Sequence, residues 1–160
     1  MTLDTPYSWG GGAMWECEVS TEIAAPVEAV YRYLADFPRH KEWSIGVAEL
    51  EPITNGEIRV GSEFKAAETV PVKFVSFSRI TALEPPRRIA WESWDNRTMR
   101  VEWAFEIEPV DGRTRLVQRA RIQPTSLFGR VMLNLMRKRQ VPGENRRSLD
   151  RIKATLEAGT

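Results

Sequence analysis

The first patterned segment of the chain alternates strictly between two kinds of side chain. From Trp15 to Ile23, apolar or small residues occupy every second position, and glutamates and a serine stand between them. A period of two residues is typical of a strand with one buried face. Cys17 falls on the inner face of this strand, where we expect a small buried thiol.

A helical period follows the first strand. Pro26 suits the first position of a helix, and apolar residues then recur three and four positions apart, at Val27, Val30, Tyr31 and Leu34. Pro38 ends this helix, because the residue before a proline is driven out of the helical region. A second short helix runs to about Trp43, and on it Phe37, His40 and Trp43 lie near one side and face an interior.

The middle of the chain consists of short runs with strand character, divided by glycine, asparagine and proline. The predicted strands are 47–53, 62–69, 72–83 and 89–94. In the last of them, either Ile89, Trp91 and Ser93 face inward or the alternate set does, which includes Glu92. An inward Glu92 would indicate acid–base chemistry.

The best-determined element is a hairpin around Asp111-Gly112, a dipeptide that favours a two-residue turn with positive φ. With that loop, Trp103 pairs with Ala120, and Phe105 pairs with Gln118, all on the inner face. On the outer face Glu102 stands opposite Arg121, and slipping the register by one residue would mix such charges into the apolar side. The arginine-rich second strand is therefore predicted to be a solvated, ion-paired face rather than a nucleic-acid surface.

The C-terminal quarter has a helical period. Ser126 is a plausible N-cap, and an apolar stripe follows at Phe128, Val131, Met132, Leu135 and Met136. Pro142-Gly143 interrupts the stripe, which resumes at Leu149, Ile152 and Leu156. We predict one long helix, kinked or broken near Pro142.

Strand, two short helices, six strands and a long helix form an α+β order in which a seven-stranded antiparallel sheet must curl around the last helix. This order resembles the helix-grip fold of the START-like SRPBCC superfamily, and in particular its polyketide cyclase/dehydrase group. The resemblance is carried by the segments "VSTEIAAPVEAVYRYLADFPRHKEWS", "ALEPPRRIAWES", "WAFEIEPVDGRTRL" and "SLDRIKATLE". It implies one domain over residues 14–158, a deep apolar cavity between the sheet and the helix, and an inward face of Ile89, Trp91 and Ser93 on their strand. The glycine run at 10–12 marks residues 1–13 as a flexible lead-in.

Composition narrows the function further. The 160 residues carry a formal net charge of +1, which argues against a dedicated nucleic-acid binder. A single cysteine and a single histidine leave no disulfide and no zinc site of the usual ligands, and we expect no cofactor. The N-terminal residues lack the pattern of a signal peptide, and no apolar run approaches a membrane span, so a cytoplasmic location is expected.

Three residues are candidates for acid–base chemistry: His40, Glu92 and Gln118. The ordinary pKa of histidine lies near neutrality, but no carboxylate stands at a spacing that would orient His40, and a place at the rim is favoured. The residues expected to line the cavity are Phe37, His40, Trp43, Trp91, Trp103, Phe105, Gln118, Met132, Leu135 and Met136. We interpret Phe37, His40 and Trp43 as part of the pocket wall rather than as catalytic residues.

We therefore expect a protein that encloses a hydrophobic small molecule, such as a lipid, a quinone or a polyketide-like ring system. The enzymatic alternative is a cyclase, aromatase or dehydratase that uses the same cavity. A third alternative is a regulator whose basic C-terminal helix docks to a partner. Seven basic residues between 137 and 153 form a solvated helix face or contact an anionic membrane. The pattern is compatible with a monomer or a dimer.

Overall fold

Seven antiparallel strands form one curved sheet in the computed structural model, which describes residues 14–159. The predicted lead-in at 1–13 lies outside the described residues. The strand order is β1-β7-β6-β5-β4-β3-β2, so β1 and β2 form the two edges of the sheet. The strands are β1 (Trp15–Ile23), β2 (Val47–Pro52), β3 (Glu63–Glu68), β4 (Phe74–Glu84), β5 (Arg88–Trp94), β6 (Met99–Val110) and β7 (Arg113–Pro124).

The helices lie on one side of this sheet. They are α1 (Val27–Ala35), a 3-10 turn (Phe37–Arg39), α2 (His40–Trp43), α3 (Leu127–Met132), a π-helical turn (Leu133–Arg137) and α4 (Lys138–Ala158). The order of elements and the α+β helix-grip fold are those predicted, and each predicted strand is found to within about two residues. The sheet curls because its concave face, rich in buried apolar side chains, must be covered by the long helix.

The β6–β7 hairpin has the predicted register. Asp111 and Gly112 form the turn with φ angles of 49° and 76°, and Phe105 stands opposite Gln118. On the outer face Arg121 donates from Nη1 to Glu102 Oε2 at 3.1 Å. The arginine-rich strand is therefore an exposed, ion-paired surface, as expected from its charges.

Cys17 differs from expectation, since its side chain is half-buried rather than buried. It lies near the start of β1, which is an edge strand of the sheet and pairs only with β7. Partial burial raises the pKa of this thiol above its usual value.

The C-terminal helix does not break at Pro142. Helix α4 continues through Pro142, and Val141 and Asn145 on either side of it are buried. The irregularity lies one turn earlier, where Leu133–Arg137 adopt the wider π-helical spacing. A proline lacks its own amide and its ring crowds the carbonyl four residues before it, so an irregular turn just upstream is a compatible setting for the ring.

Candidate functional site

A cavity of about 1160 Å³ lies between the concave face of the sheet and the helices α2, α3 and α4. It opens to solvent at one end. Its volume is slightly above the range of about 300–1,000 Å³ seen for pockets that bury small organic ligands. Helix α4 packs on the sheet along the edge strand β1, and inward side chains of β3 to β7 line the cavity.

Aromatic side chains form the closed end of the cavity. We call these four residues the inner end: Phe37, His40, Trp43 and Trp91. The first three follow one another at intervals of three residues through the 3-10 turn and α2, which places them on one side. Their rings pack closely: His40 lies 4.0 Å from Trp43 and 5.2 Å from Trp91, centroid to centroid. All four line the cavity, as the sequence predicted.

Phe105 does not line the cavity, although the sequence placed it there. Its side chain is fully buried, with the ring centroid 5.3 Å from that of Trp43 and 5.5 Å from that of Trp91. Phe105 therefore packs against the rings that form the wall, and its role is to hold them in place.

His40 is buried rather than at the rim, which corrects the sequence-based expectation. Only 7% of it is exposed, and burial lowers its pKa from 6.5 to about 3. The imidazole is therefore neutral at physiological pH and a weak base. Its contacts with Phe37, Trp43 and Trp91 make it part of the apolar wall.

Glu92 points away from the cavity. Ile89, Trp91 and Ser93 take the inner face of β5, which is the arrangement the sequence favoured, and Glu92 takes the outer face. Its carboxylate lies 3.5 Å from Arg79 Nη1 and 3.6 Å from Arg100 Nη2. As an outward, ion-paired carboxylate, Glu92 is not placed to act on a molecule in the cavity.

Trp103 and Gln118 both line the cavity. The indole nitrogen of Trp103 donates to Ser93 Oγ at 2.9 Å, so its polar atom is satisfied within the protein. Gln118 is only 2% exposed. Within residues 14–159, its Oε1 has no hydrogen-bond partner.

A polar cluster that the sequence analysis missed lies toward the open end. Ser76 Oγ donates to Glu68 Oε1 at 2.9 Å, and Arg137 Nη1 lies 2.8 Å from Glu144 Oε1. Burial raises the pKa of Glu68, and this outweighs the opposing effects of Ser76 and the charge of Arg137. A raised pKa makes the carboxylate of Glu68 a stronger base than an ordinary glutamate.

Glu68 carried a usable signal in the sequence. It continues the inner face of β3 after Phe64 and Ala66, at strict intervals of two residues. A carboxylate on that face was a stronger indication of cavity chemistry than Glu92. Asn145 and Ser148 share the buried side of α4 with Leu149, at helical intervals of three and four residues, and the sequence analysis did not consider them.

The open end, which we call the mouth, is bordered by apolar side chains of α3 and the π-helical turn. They are Phe128, Val131, Met132, Leu135 and Met136. We expected this stripe to close the cavity, but Phe128 is 64% and Leu135 68% exposed. Val72 and Val75 also line the cavity and are exposed as well. The stripe lines the cavity without sealing it.

Helix α3 is held in place by a close contact at Gly129. A Cβ atom at this position would lie 1.9 Å from the carbonyl oxygen of Thr98, so only glycine fits. The predicted cap is present, since Ser126 Oγ accepts a hydrogen bond from the Gly129 amide at 2.9 Å. Asp95 stabilises the loop between β5 and β6, because its carboxylate accepts hydrogen bonds from the backbone amides of Arg97 and Thr98.

Several basic side chains of the C-terminal segment bind the protein itself. Arg137 pairs with Glu144, Arg146 donates to the Ser20 carbonyl, and Lys153 donates to the Glu22 carbonyl. These contacts leave fewer free charges for a membrane or a partner than the sequence suggested. Contact of this segment with an anionic membrane stays a prediction.

Residues 14–157 match the family described as polyketide cyclase/dehydrase and lipid transport. The chain belongs to this family. The match spans nearly the whole described structure, and it confirms the START-like resemblance carried by the sequence. The family description covers both enzymes and carriers, so membership restricts this protein to a ligand-binding or a cyclase type of function.

Solved structures share the fold at low sequence identity. The aromatase/cyclase Zhui from Streptomyces sp. R1128 is 18% identical, with a TM-score of 0.74 over 91% of this chain and 94% of that chain. A START superfamily protein from Mycobacterium smegmatis is 15% identical, with a TM-score of 0.72 over 91% and 99%. The protein TTHA0849 from Thermus thermophilus is 19% identical, with a TM-score of 0.70 over 91% and 99%. Comparison with curated proteins finds no match.

Among the described residues, no helix has both the length and the apolar character that crossing a bilayer requires.

Proposed function

We propose that this member of the family binds a flat, mainly apolar small molecule inside the cavity. The observation that carries the proposal is the ring-lined inner end, a preformed space whose walls are Phe37, Trp43 and Trp91. Flat aromatic walls offer stacking and edge contacts to a ring system, which a single flexible acyl chain uses poorly. The proposal therefore favours a fused-ring or quinone-like ligand over a fatty acyl chain.

The proposal is tested by a fluorescence titration with 2-methylnaphthalene, a flat apolar probe. The wild-type protein should bind it, and Val101→Trp should weaken binding by at least about tenfold, because Val101 lines the cavity and the larger ring would fill it. The matched control is Val60→Trp, since Val60 is exposed and lies outside the cavity lining. Equal binding by the wild type and both variants would contradict a site in the cavity.

Proton-transfer chemistry on the bound molecule is the second candidate, and Glu68 is the observation that favours it. Its carboxyl lines the cavity, receives a hydrogen bond from Ser76 and has a raised pKa. A cyclase, aromatase or dehydratase acting on a poly-β-keto chain would need such an acid or base, and Glu68 takes the role considered for His40 and Glu92. The fold is shared with Zhui, which is named as an aromatase/cyclase.

This candidate is tested by turnover of a poly-β-keto thioester. Glu68→Gln should lower turnover by roughly 10²–10⁴-fold while binding of 2-methylnaphthalene changes little. Glu63→Gln is the control, since Glu63 lies on the same strand but pairs with Arg79 on the outer face. No turnover by the wild type would leave binding as the sole function.

A further inference from the structure

The cavity wall contains three buried polar atoms for which residues 14–159 provide no hydrogen-bond partner. They are Nε1 of Trp43, Oε1 of Gln118 and Nδ2 of Asn145. Each side chain is at most 4% exposed, and each lines the cavity. Buried polar atoms in folded proteins are nearly always paired with a protein group or with ordered water, so three exceptions around one cavity require partners from outside the chain.

Trp43 and Gln118 are brought to the same part of the wall by Phe105. The Trp43 ring packs on the Phe105 ring at 5.3 Å, and Gln118 stands directly opposite Phe105 across β6 and β7. Asn145 comes from α4, the helix that packs against the short helix bearing Trp43. The three residues therefore line the cavity from three different elements.

The Trp103 indole provides an internal comparison. It lines the same cavity, yet its N–H donates to Ser93 Oγ within the protein. The fold can therefore satisfy a cavity-lining tryptophan where no ligand contact is needed. The indole N–H of Trp43, in contrast, has no hydrogen-bond partner among residues 14–159.

The chemistry of the three atoms specifies what would bind there. An indole N–H only donates, so Trp43 requires an acceptor, and so does the Asn145 amide nitrogen. The Gln118 oxygen only accepts, so it requires a donor. A hydroxyl group is both acceptor and donor, and the surrounding rings favour a flat molecule.

We propose that the cavity selects a hydroxylated aromatic ring, with Trp43 Nε1 donating a hydrogen bond to the hydroxyl oxygen and Gln118 Oε1 accepting a hydrogen bond from the hydroxyl group. Asn145 donates to a second oxygen of the ligand. This inference rests on the proposed binding function and narrows its ligand class. A buried site built to pair with a hydroxyl rejects an analogue that lacks it more strongly than an apolar pocket distinguishes a methyl group.

The experiment compares the dissociation constants of 2-naphthol and 2-methylnaphthalene, which have the same ring system and nearly the same size. Hydrophobic transfer alone favours the methyl compound, because the hydroxyl is better solvated in water. The wild type should nevertheless bind 2-naphthol about tenfold more tightly. Gln118→Met, which keeps the length of the side chain but loses the acceptor, should abolish that preference, so that 2-naphthol binds no more tightly than 2-methylnaphthalene.

The matched control is Ile122→Val, since Ile122 lines the same cavity and has no polar atom to contribute. It should retain the preference for 2-naphthol. Equal or weaker binding of 2-naphthol by the wild type would overturn this inference and leave the binding function standing. Binding of neither probe would overturn the binding function, and this inference with it.

A second measurement needs no folded variant of Gln118. The indole N–H resonance of Trp43, assigned by its loss in Trp43→Phe, should move downfield when 2-naphthol is added, because it then donates a hydrogen bond. The same resonance should not move downfield with 2-methylnaphthalene. If both probes shift it alike, Trp43 does not recognise a hydroxyl group.

Discussion

The inner end and the mouth of the cavity are built from similar apolar residues, yet one is closed and the other open. Phe105, behind the inner end, is fully buried, whereas Phe128 at the mouth is 64% exposed. Both residues lie in regular elements and belong to clear periodic patterns. The comparison teaches that periodicity tells which face of an element is apolar, and that a second layer decides whether the face is covered.

The second layer differs between the two regions. At the inner end, α2 and the 3-10 turn press their rings against β5 and β6. At the mouth, α3 is anchored to the loop between β5 and β6 by the contact of Gly129 with Thr98, and its apolar stripe borders the opening. The closed end is thus suited to hold a ligand in a fixed geometry, and the open end to admit it.

Paired truncations should give the largest difference between the two regions. Phe105→Ala should lower the free energy of unfolding by about 3–5 kcal/mol, since a fully buried ring leaves a cavity. Phe128→Ala should change it by no more than about 0.5 kcal/mol, because its side chain is mostly solvated. Urea denaturation measures both values. Similar losses for the two variants would mean that the mouth is as tightly packed as the inner end.

Glycine substitutions should sharpen the account of how the mouth is held. Gly129→Ala should cost about 3 kcal/mol, the upper part of the usual range for overpacking, since the new Cβ meets backbone rather than a movable side chain. Gly143→Ala is the control, because it lies inside α4 with nothing within 4 Å of the new Cβ. This change should stabilise by about 0.5–1 kcal/mol. Thermal or urea unfolding that ranks the two variants the other way would refute the anchoring contact.

Lowering the pH should weaken the inner end through His40. The unfolded imidazole binds a proton below pH 6.5, whereas the folded one, with its pKa lowered to about 3, stays neutral. The unfolded state therefore binds more protons, and stability falls as the pH drops from 6.5 toward 3. Between pH 7 and 5 the loss from this group should be about 2 kcal/mol.

The control for this effect is His40→Phe, which keeps a ring among Phe37, Trp43 and Trp91 but cannot titrate. Stabilities of both proteins are measured by urea unfolding at pH 7 and pH 5. The wild type should lose about 2 kcal/mol more than the variant over this interval. Parallel pH dependences would show that His40 is solvated rather than buried.

The sequence predicted those parts of the fold that depend on local signals. The Asp111-Gly112 turn and the charges flanking it were enough to set the register, and with it the inward placement of Trp103 and Gln118. The alternation in β5 did not by itself decide which set of side chains faces the cavity. The pairing of β5 with β4 and β6 places Glu92 beside Arg79 and Arg100.

The site was predicted less completely, because burial and partnership depend on layers that are remote in sequence. His40 was expected at the rim, but its burial results from Trp91, which is far along the chain. A kink or break was expected near Pro142 because proline lacks an amide. The π-helical turn just before it, Leu133–Arg137, could not be recognised from the sequence. Glu68 was overlooked although its strand alternates, since the helix that encloses it comes from the other end of the chain.

The central claim is that a flat apolar molecule occupies the inner end of the cavity rather than the mouth. The most direct test is an isotope-filtered nuclear Overhauser experiment on the protein with bound 2-methylnaphthalene. The account predicts contacts from the probe's ring protons to Phe37, Trp43 and Trp91. Contacts confined to Phe128 and Leu135, or none to any cavity residue, would contradict it.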